Sequence, residues 1–467
     1  MDDTSAAAPS GENVRQHPGH ELVNGPIGRT LIVFSMPTLV SNILQSLSGS
    51  INSIWVGRFL GEGALAATAN ANLLMFVTFA LVFGIGMAVT VFVGQSIGRG
   101  DIGGARRFLG TALGFSFIFS CFVGVAGWVW SPELLRALMT PEAIFPMGLI
   151  YLRILFLNMP AIAITSIVMA GLRGAGDAVT PLNFMILALV LGLVLNPLFI
   201  LGFGPIPAMG IAGSALASVV GSYIGLAALV VYVFARDVPL RFRGKEWGYL
   251  IPDLAQTRLL VSKGFPIGLQ MLLGTLAMLV SVGLANKEGV LTAAAYAAIQ
   301  QLWGYIQMPS MAIGGAVTAM AAQNIGAGRW DRVGAITRAG LLCNLAVTGL
   351  LVGLTLLFDR QALALFLGAA SQATEIGCHI QLQAFWSFFP FAVGMLLSST
   401  MRANGVVIAP MIINLISMFP LRLGFYFLAY PVMGADALWH SFNVGYLASF
   451  LLTGAYYWKA DWRSQRA

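Results

Sequence analysis

The most constraining feature of this chain is a series of long apolar segments separated by short polar stretches. A helix needs about 20 predominantly apolar residues to cross a bilayer, and these segments reach that length. Their polarity does not alternate as it does in barrel strands, and backbone groups in hydrocarbon must be satisfied internally. An all-α polytopic membrane protein is therefore predicted. Its twelve predicted spans are residues 31–55, 66–95, 108–130, 146–170, 180–203, 208–235, 260–285, 291–322, 333–358, 379–401, 407–429 and 438–458.

The composition excludes a water-soluble globular protein. Of the 467 residues, 58% are hydrophobic and only 9% are charged, whereas ordinary soluble domains have about 25% charged residues. No phosphate-binding loop of the type Gly-x4-Gly-Lys-Ser/Thr occurs, so nucleotide hydrolysis is not predicted. The net charge of +7 comes from basic residues scattered through loops rather than clustered with aromatic residues. Nucleic acid is therefore not an expected partner, whereas the lipid bilayer is.

The three cysteines give no sign of a disulfide framework or a metal site. Cys121, Cys343 and Cys378 lie in or beside apolar segments and lack the spacing of metal ligands. We interpret them as small core residues. Neither a metal, nor a cofactor, nor an enzymatic activity is predicted.

A repeated pattern divides the chain into two halves. The motif Gln-x-Ile-Gly-x-Gly occurs twice, and two other features recur at nearly the same offset of about half the chain. Matches in one register indicate an internal duplication. The corresponding positions of the two halves are Gln95 with Gln323, Pro37 with Pro266, and residues 173–176 with residues 402–405.

The duplication predicts the domain organisation and the topology. Six spans in each half make the halves parallel repeats that enter the membrane from the same side. Lys and Arg concentrate on the side of the linker and both tails, which the positive-inside rule assigns to the cytoplasm of a cell (inner) membrane protein. Gly98 and Gly326 are predicted C-terminal helix caps. The predicted regions are a polar cytoplasmic tail (1–28), a six-helix bundle (29–235), a cytoplasmic linker (236–262), a second six-helix bundle (263–458) and a cytoplasmic tail (459–467).

Polar side chains inside predicted spans are candidate functional residues, because they are costly in a bilayer. The first span carries amides on one helical face, and the eighth carries amides and aromatic rings at helical spacing. Such a stripe suits flat organic molecules. Hydrogen bonding between helices, or simple packing, is the alternative interpretation. The candidate residues of a substrate cavity are Asn42, Gln45, Asn52, Asn196, Gln270, Tyr296, Gln300, Trp303, Gln307 and Trp386.

Charged side chains are almost absent from the middle of the spans. Every Asp and Glu falls in a tail, a loop or the end of a span. Arg422 lies inside the eleventh span, and it is expected to snorkel or to bond to backbone carbonyls.

Together, these patterns resemble the multidrug and toxic compound extrusion family. The resemblance rests on Pro37 followed by the run at 52–57, on both glutamine motifs, and on residues 172–177 before Pro181. It covers nearly the whole chain after residue 28. It implies two six-helix bundles arranged in a V around a cavity. The implied function is export of small organic molecules by alternating access in exchange for protons or sodium ions. A monomer is expected.

The resemblance also implies where an ion would couple, but the acids are missing there. The first-span position that usually holds an aspartate is Asn52, and the fifth-span pair falls on Gly192 and Asn196. An amide cannot take up a proton, and sodium bound only by amide oxygens would lack a compensating charge. Weak or unusual coupling through Asn52 and Asn196 is expected. Neutral or amphipathic substrates then fit at least as well as cations.

Two other classes of function stay open. One is an uncoupled facilitator or a flippase for lipid-linked precursors with the same fold. The other is a membrane receptor or scaffold that transports nothing. The glycine-rich second and eighth spans favour moving or tightly packed helices over a scaffold, although close packing alone would explain them.

Overall fold

The computed structural model describes residues 18–368 and 371–464, and this part of the chain is helical without β-strands. Apart from its α-helices, it contains short 3-10 helices at Gly244–Leu250 and Phe385–Ser387 and a π-helical turn at Ser417–Leu421. The helices of the first half are α1 (Pro18–Asn24), α2 (Ile27–Leu60), α3 (Glu62–Gly98), α4 (Ile102–Ala137), α5 (Phe145–Phe156), α6 (Met159–Gly174), α7 (Val179–Leu201) and α8 (Gly210–Ala235). Those of the second half are α9 (Leu254–Lys287), α10 (Val290–Gly326), α11 (Trp330–Leu357), α12 (Asp359–Leu367), α13 (Gln372–Ala384), α14 (Phe388–Ala403), α15 (Ile408–Ile416), α16 (Arg422–Met433) and α17 (Asp436–Lys459).

Each of the twelve predicted spans coincides with one helix or with one pair of successive helices. Within the described ranges, nine helical stretches are long and apolar enough to cross a membrane, and α5 with α6, bent by 47°, makes ten. The other two predicted spans are α10 and α17, which are 37 and 24 residues long. The prediction of an all-α polytopic membrane protein is confirmed.

The polar tail predicted at residues 1–28 is structured in its second part, where 18–24 form α1. The Leu22 side chain is buried, and its carbonyl oxygen accepts a hydrogen bond of 3.0 Å from Asn324 Nδ2 in α10. A seven-residue helix is marginal by itself, so tertiary contacts stabilise it. Residues 1–17 of the predicted tail lie outside the described residues.

The tail predicted at residues 459–467 is also partly anchored. Trp462 is buried, and its Nε1 donates to the Tyr457 carbonyl oxygen at 2.8 Å. Its own carbonyl oxygen accepts a hydrogen bond of 2.7 Å from Asn404 Nδ2. Helix α17 runs to Lys459, and residues 465–467 lie outside the described part of the chain.

The linker between the halves is shorter than the predicted 236–262, because α9 begins at Leu254. Asp253 caps this helix by accepting from the backbone N–H of Ala255 at 2.9 Å. Ion pairs fasten the linker to α4, from Arg106 to Glu246 at 3.0 Å and from Arg107 to Asp253 at 2.7 Å. We call the end of the molecule that carries these pairs the linker end.

The two copies of the glutamine motif contact each other at the linker end. Gly98 in α3 packs on the backbone of Gln323 in α10, and Gly326 packs on the backbone of Gln95. A Cβ at either glycine would collide with the carbonyl oxygen of the facing glutamine. The two helices therefore cross with their backbones in contact, which only glycine permits.

This contact corrects the predicted role of Gly98 and Gly326. They are the last residues of their helices, and Arg99 is the C-cap of the first. The glycines with left-handed backbone follow two positions later, Gly100 with φ 77° and Gly328 with φ 72°. Gly98 and Gly326 thus permit close packing, whereas Gly100 and Gly328 make the turns.

The glutamine side chains extend the symmetry of the crossing. Gln95 Nε2 donates to the Ala403 carbonyl oxygen at 2.8 Å, and Gln323 Nε2 donates to that of Gly174 at 2.8 Å. Gly174 and Ala403 are equivalent positions of the repeat, so each half bonds to the same point of the other. The halves therefore meet around a pseudo-twofold axis between α3 and α10.

Candidate functional site

A hydrogen-bonded cluster of polar side chains joins four helices of the first bundle. We call it the amide cluster: Asn52 in α2, Tyr151 in α5, Asn196 in α7 and Ser214 in α8. Ser214 Oγ lies 3.0 Å from Asn52 Oδ1 and 3.2 Å from Asn196 Oδ1, and its single proton can serve either acceptor. Asn52 Nδ2 donates to Tyr151 Oη at 3.4 Å, and Asn196 Nδ2 donates to the Gly192 carbonyl oxygen at 2.9 Å.

The amide cluster lies towards the end of the molecule opposite the linker. Asn52 is near the C-terminal end of α2, and Ser214 is near the start of α8. Tyr151, Asn196 and Ser214 are buried, whereas Asn52 is only partly buried. Buried polar groups are stable when hydrogen-bonded, and Asn52 is the member best placed to contact another molecule.

The sequence around the cluster explains why these helices approach so closely. Gly213 precedes Ser214 and packs against the backbone of Phe199, where a Cβ would collide with the carbonyl oxygen. Pro197 follows Asn196 inside α7, and a proline interrupts the helical hydrogen-bond ladder. Helix packing and a local break thus bring Asn196 beside Ser214.

The structure brings together two of the predicted cavity residues, Asn52 and Asn196, through a residue that the sequence analysis missed. Ser214 and Tyr151 were not predicted, and the small residue Gly213 before Ser214 is the signal that could have indicated a close helix contact. Gln45 is exposed on α2 and lies outside the amide cluster. The half-buried Asn42 in α2 and Gln270 in α9 also lie outside it.

The predicted aromatic stripe of the eighth span is divided between core and partly exposed positions. Tyr296 and Trp303 in α10 are only 2% and 6% exposed. The Trp303 ring packs edge-on against Phe388 at 5.6 Å and Phe442 at 5.0 Å. These two side chains therefore lie in the core of the second bundle rather than in an open cavity. Gln300 and Gln307 are half-buried.

A cavity of about 430 Å³ lies beside α14 and α17 in the second bundle. Among the predicted cavity residues, Trp386 contributes to it, and this side chain is 63% exposed. Most lining groups are apolar, which suits an apolar part of a ligand or of a lipid. The lining residues are Trp386, Phe389, Pro390, Val393, Asn443, Leu447 and Phe450.

Acidic groups lie away from the membrane interior throughout the described ranges. Asp101, Asp253 and Glu288 stand at helix caps, and Glu62 and Asp436 open their helices. In the same ranges, no group of three or more His, Cys, Asp and Glu side chains is placed to hold a metal ion. The amide cluster therefore consists of neutral groups.

Comparisons with known proteins agree with this architecture. A family model described as MatE matches residues 37–198 and 266–428, one stretch in each half of the chain. The chain belongs to the MATE family. Its membership confirms the resemblance predicted from the repeated motifs, and it makes the chain a multi-pass membrane transporter rather than an enzyme. The receptor or scaffold hypothesis is accordingly not retained.

Individual relatives of this MATE transporter cover nearly its whole length. It is 32% identical over 438 residues to a probable multidrug resistance protein, YoeA, of Bacillus subtilis, covering 93% of this chain and 94% of the relative. It is 26% identical over 407 residues to an FAD transporter of Shewanella oneidensis, covering 86% and 88%. A solved structure of a multidrug resistance MATE family transporter in an outward-facing conformation superposes with a TM-score of 0.85 at 20% identity, covering 94% and 97%.

Proposed function

We propose that this transporter exports small organic molecules by alternating access, with the amide cluster as the polar part of its binding site. The observation that carries this proposal is the contact of Asn52 and Asn196 with Ser214. The three side chains come from three helices and offer oxygen and N–H groups without a net charge. Neutral or amphipathic molecules can exchange hydrogen bonds with them without a counter-ion.

The proposed coupling is weak or does not use a proton at this position. Asn52 and Asn196 cannot release protons in the accessible range of pH. Sodium bound by their oxygens would have to lose water without a neighbouring negative charge, which is unfavourable. An uncoupled facilitator is therefore the second candidate function, and the neutral amide cluster is the observation that favours it.

The proposed orientation has the linker end and both termini in the cytoplasm of the cell (inner) membrane. The basic residues of the linker end support this orientation, since positive loops stay inside. The close crossing of α3 and α10 then closes the cytoplasmic side, and export proceeds by separating the helices on alternate sides. The protein is proposed to work as a monomer.

Transport by purified protein in vesicles with imposed gradients would test this proposal. Vesicles receive a proton gradient, a sodium gradient or no gradient, and uptake of a cationic dye, a neutral dye and a flavin nucleotide is measured. The flavin nucleotide is included because one relative is named as an FAD transporter. Accumulation against the substrate gradient supports the exporter, equilibration alone supports the facilitator, and no flux of any substrate contradicts both.

A further inference from the structure

The second bundle contains a buried cation near the middle of a span. Arg422, the first residue of α16, is only 3% exposed. Its Nη2 donates to Ser281 Oγ in α9 at 2.6 Å, and its guanidinium carbon lies 3.7 Å from the ring centroid of Phe442 in α17. The side chain thus points into the bundle. The expectation that it would snorkel or bond to backbone carbonyls is wrong.

In the part of the chain that the structure describes, no negative charge balances Arg422. Among the described residues, no carboxylate forms an ion pair with it, and the groups that act on its charge are the neutral hydroxyls of Tyr446 and Tyr296. Its Nε has no hydrogen-bond partner among the described residues. Burying a charge without a partner costs several kcal/mol, and the ring of Phe442 compensates only part of that cost.

The fold is adapted to hold this arginine. Gly445 in α17 leaves room for it, since a Cβ there would meet Arg422 Cβ and Cδ at 3.0 Å. The π-helical turn at Ser417–Leu421, which contains Pro420, ends immediately before it. Such turns interrupt the regular ladder of hydrogen bonds and occur frequently at functional sites. The arginine is therefore a built feature of the core.

The repeat relates this position to the amide cluster. Ser281, which accepts the hydrogen bond from Arg422, follows Asn52 by the same 229 positions that separate Pro37 from Pro266. Both side chains lie towards the end of the molecule opposite the linker. Equivalent places in the two bundles thus hold a neutral cluster in the first and a cation in the second.

We propose that Arg422 binds the carboxylate or phosphate group of an organic anion in the second bundle. A guanidinium binds such oxyanions through two parallel hydrogen bonds, and its Nε is free to provide one of them. The ring of Phe442 lies against the guanidinium, and the rings of Tyr296 and Trp303 pack on Phe442. These aromatic surroundings match a flat apolar body. This site goes beyond the proposed export through the amide cluster, because it predicts binding of an anion in the other bundle.

Access to this site requires a movement of the second bundle. The guanidinium is enclosed in the conformation described here, so an anion enters when α16 moves relative to α17. The π-helical turn at Ser417–Leu421 provides a point at which the span can bend. The ligand then replaces the missing counter-charge and stabilises the open arrangement.

Equilibrium binding to the full chain in detergent tests the proposal with radiolabelled benzoate and phenyl phosphate as probes. The parent protein is expected to bind both, and benzamide, a neutral analogue of the same shape, should bind at least about tenfold more weakly. Arg422→Gln should weaken binding of benzoate by about tenfold or more. Arg422→Lys keeps the charge but loses the planar pair of donors, so it should retain part of the affinity.

Two further variants keep the test decisive. Arg153→Gln is the matched control, because Arg153 in α5 also lies over an aromatic ring, that of Trp128 at 4.7 Å, but in the first bundle. It should leave binding of benzoate unchanged. Ser281→Ala removes the hydrogen bond to Arg422 with little change in volume, and a severalfold loss of affinity for benzoate is expected. This variant keeps the proposal testable if Arg422→Gln does not fold.

Three outcomes would overturn the proposal. They are equal binding of benzoate by the parent and by Arg422→Gln, equal binding of benzoate and benzamide, and no binding of either anion by the parent. Binding of inorganic phosphate is measured as well, and an affinity equal to that for phenyl phosphate would overturn the organic part of the assignment. Because binding is measured without flux, a failure here is distinct from a failure of the proposed export.

Discussion

At the scale of single residues, neutral side chains replace the acids that the resemblance implies for the coupling site. Asn52 stands where the resemblance expects an aspartate, and the structure places it 3.0 Å from Ser214 Oγ. Ser214 also contacts Asn196, so one hydroxyl links the two amides of the cluster. An aspartate in place of Asn52 would instead supply a carboxylate that accepts hydrogen bonds. The amides of the cluster are held by hydrogen bonds, but they cannot titrate.

Asn52→Asp should introduce proton dependence into transport. The new carboxylate keeps the acceptor for Ser214 but can also gain and lose a proton, so flux should change severalfold across the pH at which it titrates. The measurement is uptake into vesicles at a series of pH values. Ser50→Asp serves as the control, because it adds the same group to an exposed position of α2 outside the amide cluster. If Asn52→Asp keeps the parent's pH profile, the placement of the site in this cluster is wrong.

At the scale of elements, the start of α9 at the linker is stabilised by hydrogen bonds and an ion pair of a specific side chain rather than by burial of apolar surface. Asp253 ends the linker and caps α9, and it also pairs with Arg107 of α4 at 2.7 Å. The pKa of the Asp253 carboxyl lies below its usual value because the backbone N–H of Gln256 and the Arg107 side chain donate to it. Its ionised form therefore stabilises the folded linker.

Asp253→Asn should lower the thermal stability at neutral pH and have little effect in acid. A folded-state pKa below the usual value, about 4, means that the stabilisation is complete above that value and is lost as the pH falls through the folded pKa. Melting temperatures of parent and variant from pH 7 to pH 3 should converge. Asp253→Ala also removes the capping acceptor, so its deficit should persist at low pH. A gap for Asp253→Asn that is independent of pH would contradict this account.

At the scale of the whole molecule, the two halves are held together where the duplicated motif meets itself. Gln95 and Gln323 bond to equivalent positions of the opposite half, and Gly98 and Gly326 allow their helices to touch. A transporter that alternates its access must separate these contacts on one side. In the proposed mechanism, this crossing closes the linker end, and opening of that end begins there.

Gly98→Ala and Gly326→Ala should each destabilise the closed arrangement, and by similar amounts because of the pseudo-twofold symmetry. The added methyl group would collide with the facing glutamine carbonyl, and overpacking of this kind costs on the order of 1–3 kcal/mol. The destabilisation is measured as a fall in the melting temperature of the purified protein. Gly334→Ala in α11 is the control, since a Cβ there meets no atom within 4 Å. Melting temperatures equal to the control's would contradict the crossing.

Much of the architecture can be predicted from local stretches of the sequence. The bilayer sets a length and a polarity that each span must meet by itself, so all twelve predicted spans coincide with helices. The duplication and the absence of carboxylates from the spans are equally local facts. The resemblance also placed Asn52 and Asn196 at one site, and the structure brings them together through Ser214.

The contacts between helices could not be predicted in the same way. The spans are apolar on most sides, so their polarity does not show which face of a helix packs against which neighbour. The sequence predicts a helix cap at Gly98, but this residue permits a helix crossing. It predicts Trp303 in a cavity, but this side chain packs in a core. Arg422 was expected to reach for the surface and lies over Phe442. Each of these positions depends on residues far away in the chain, and close packing in three dimensions selects them after the spans have formed.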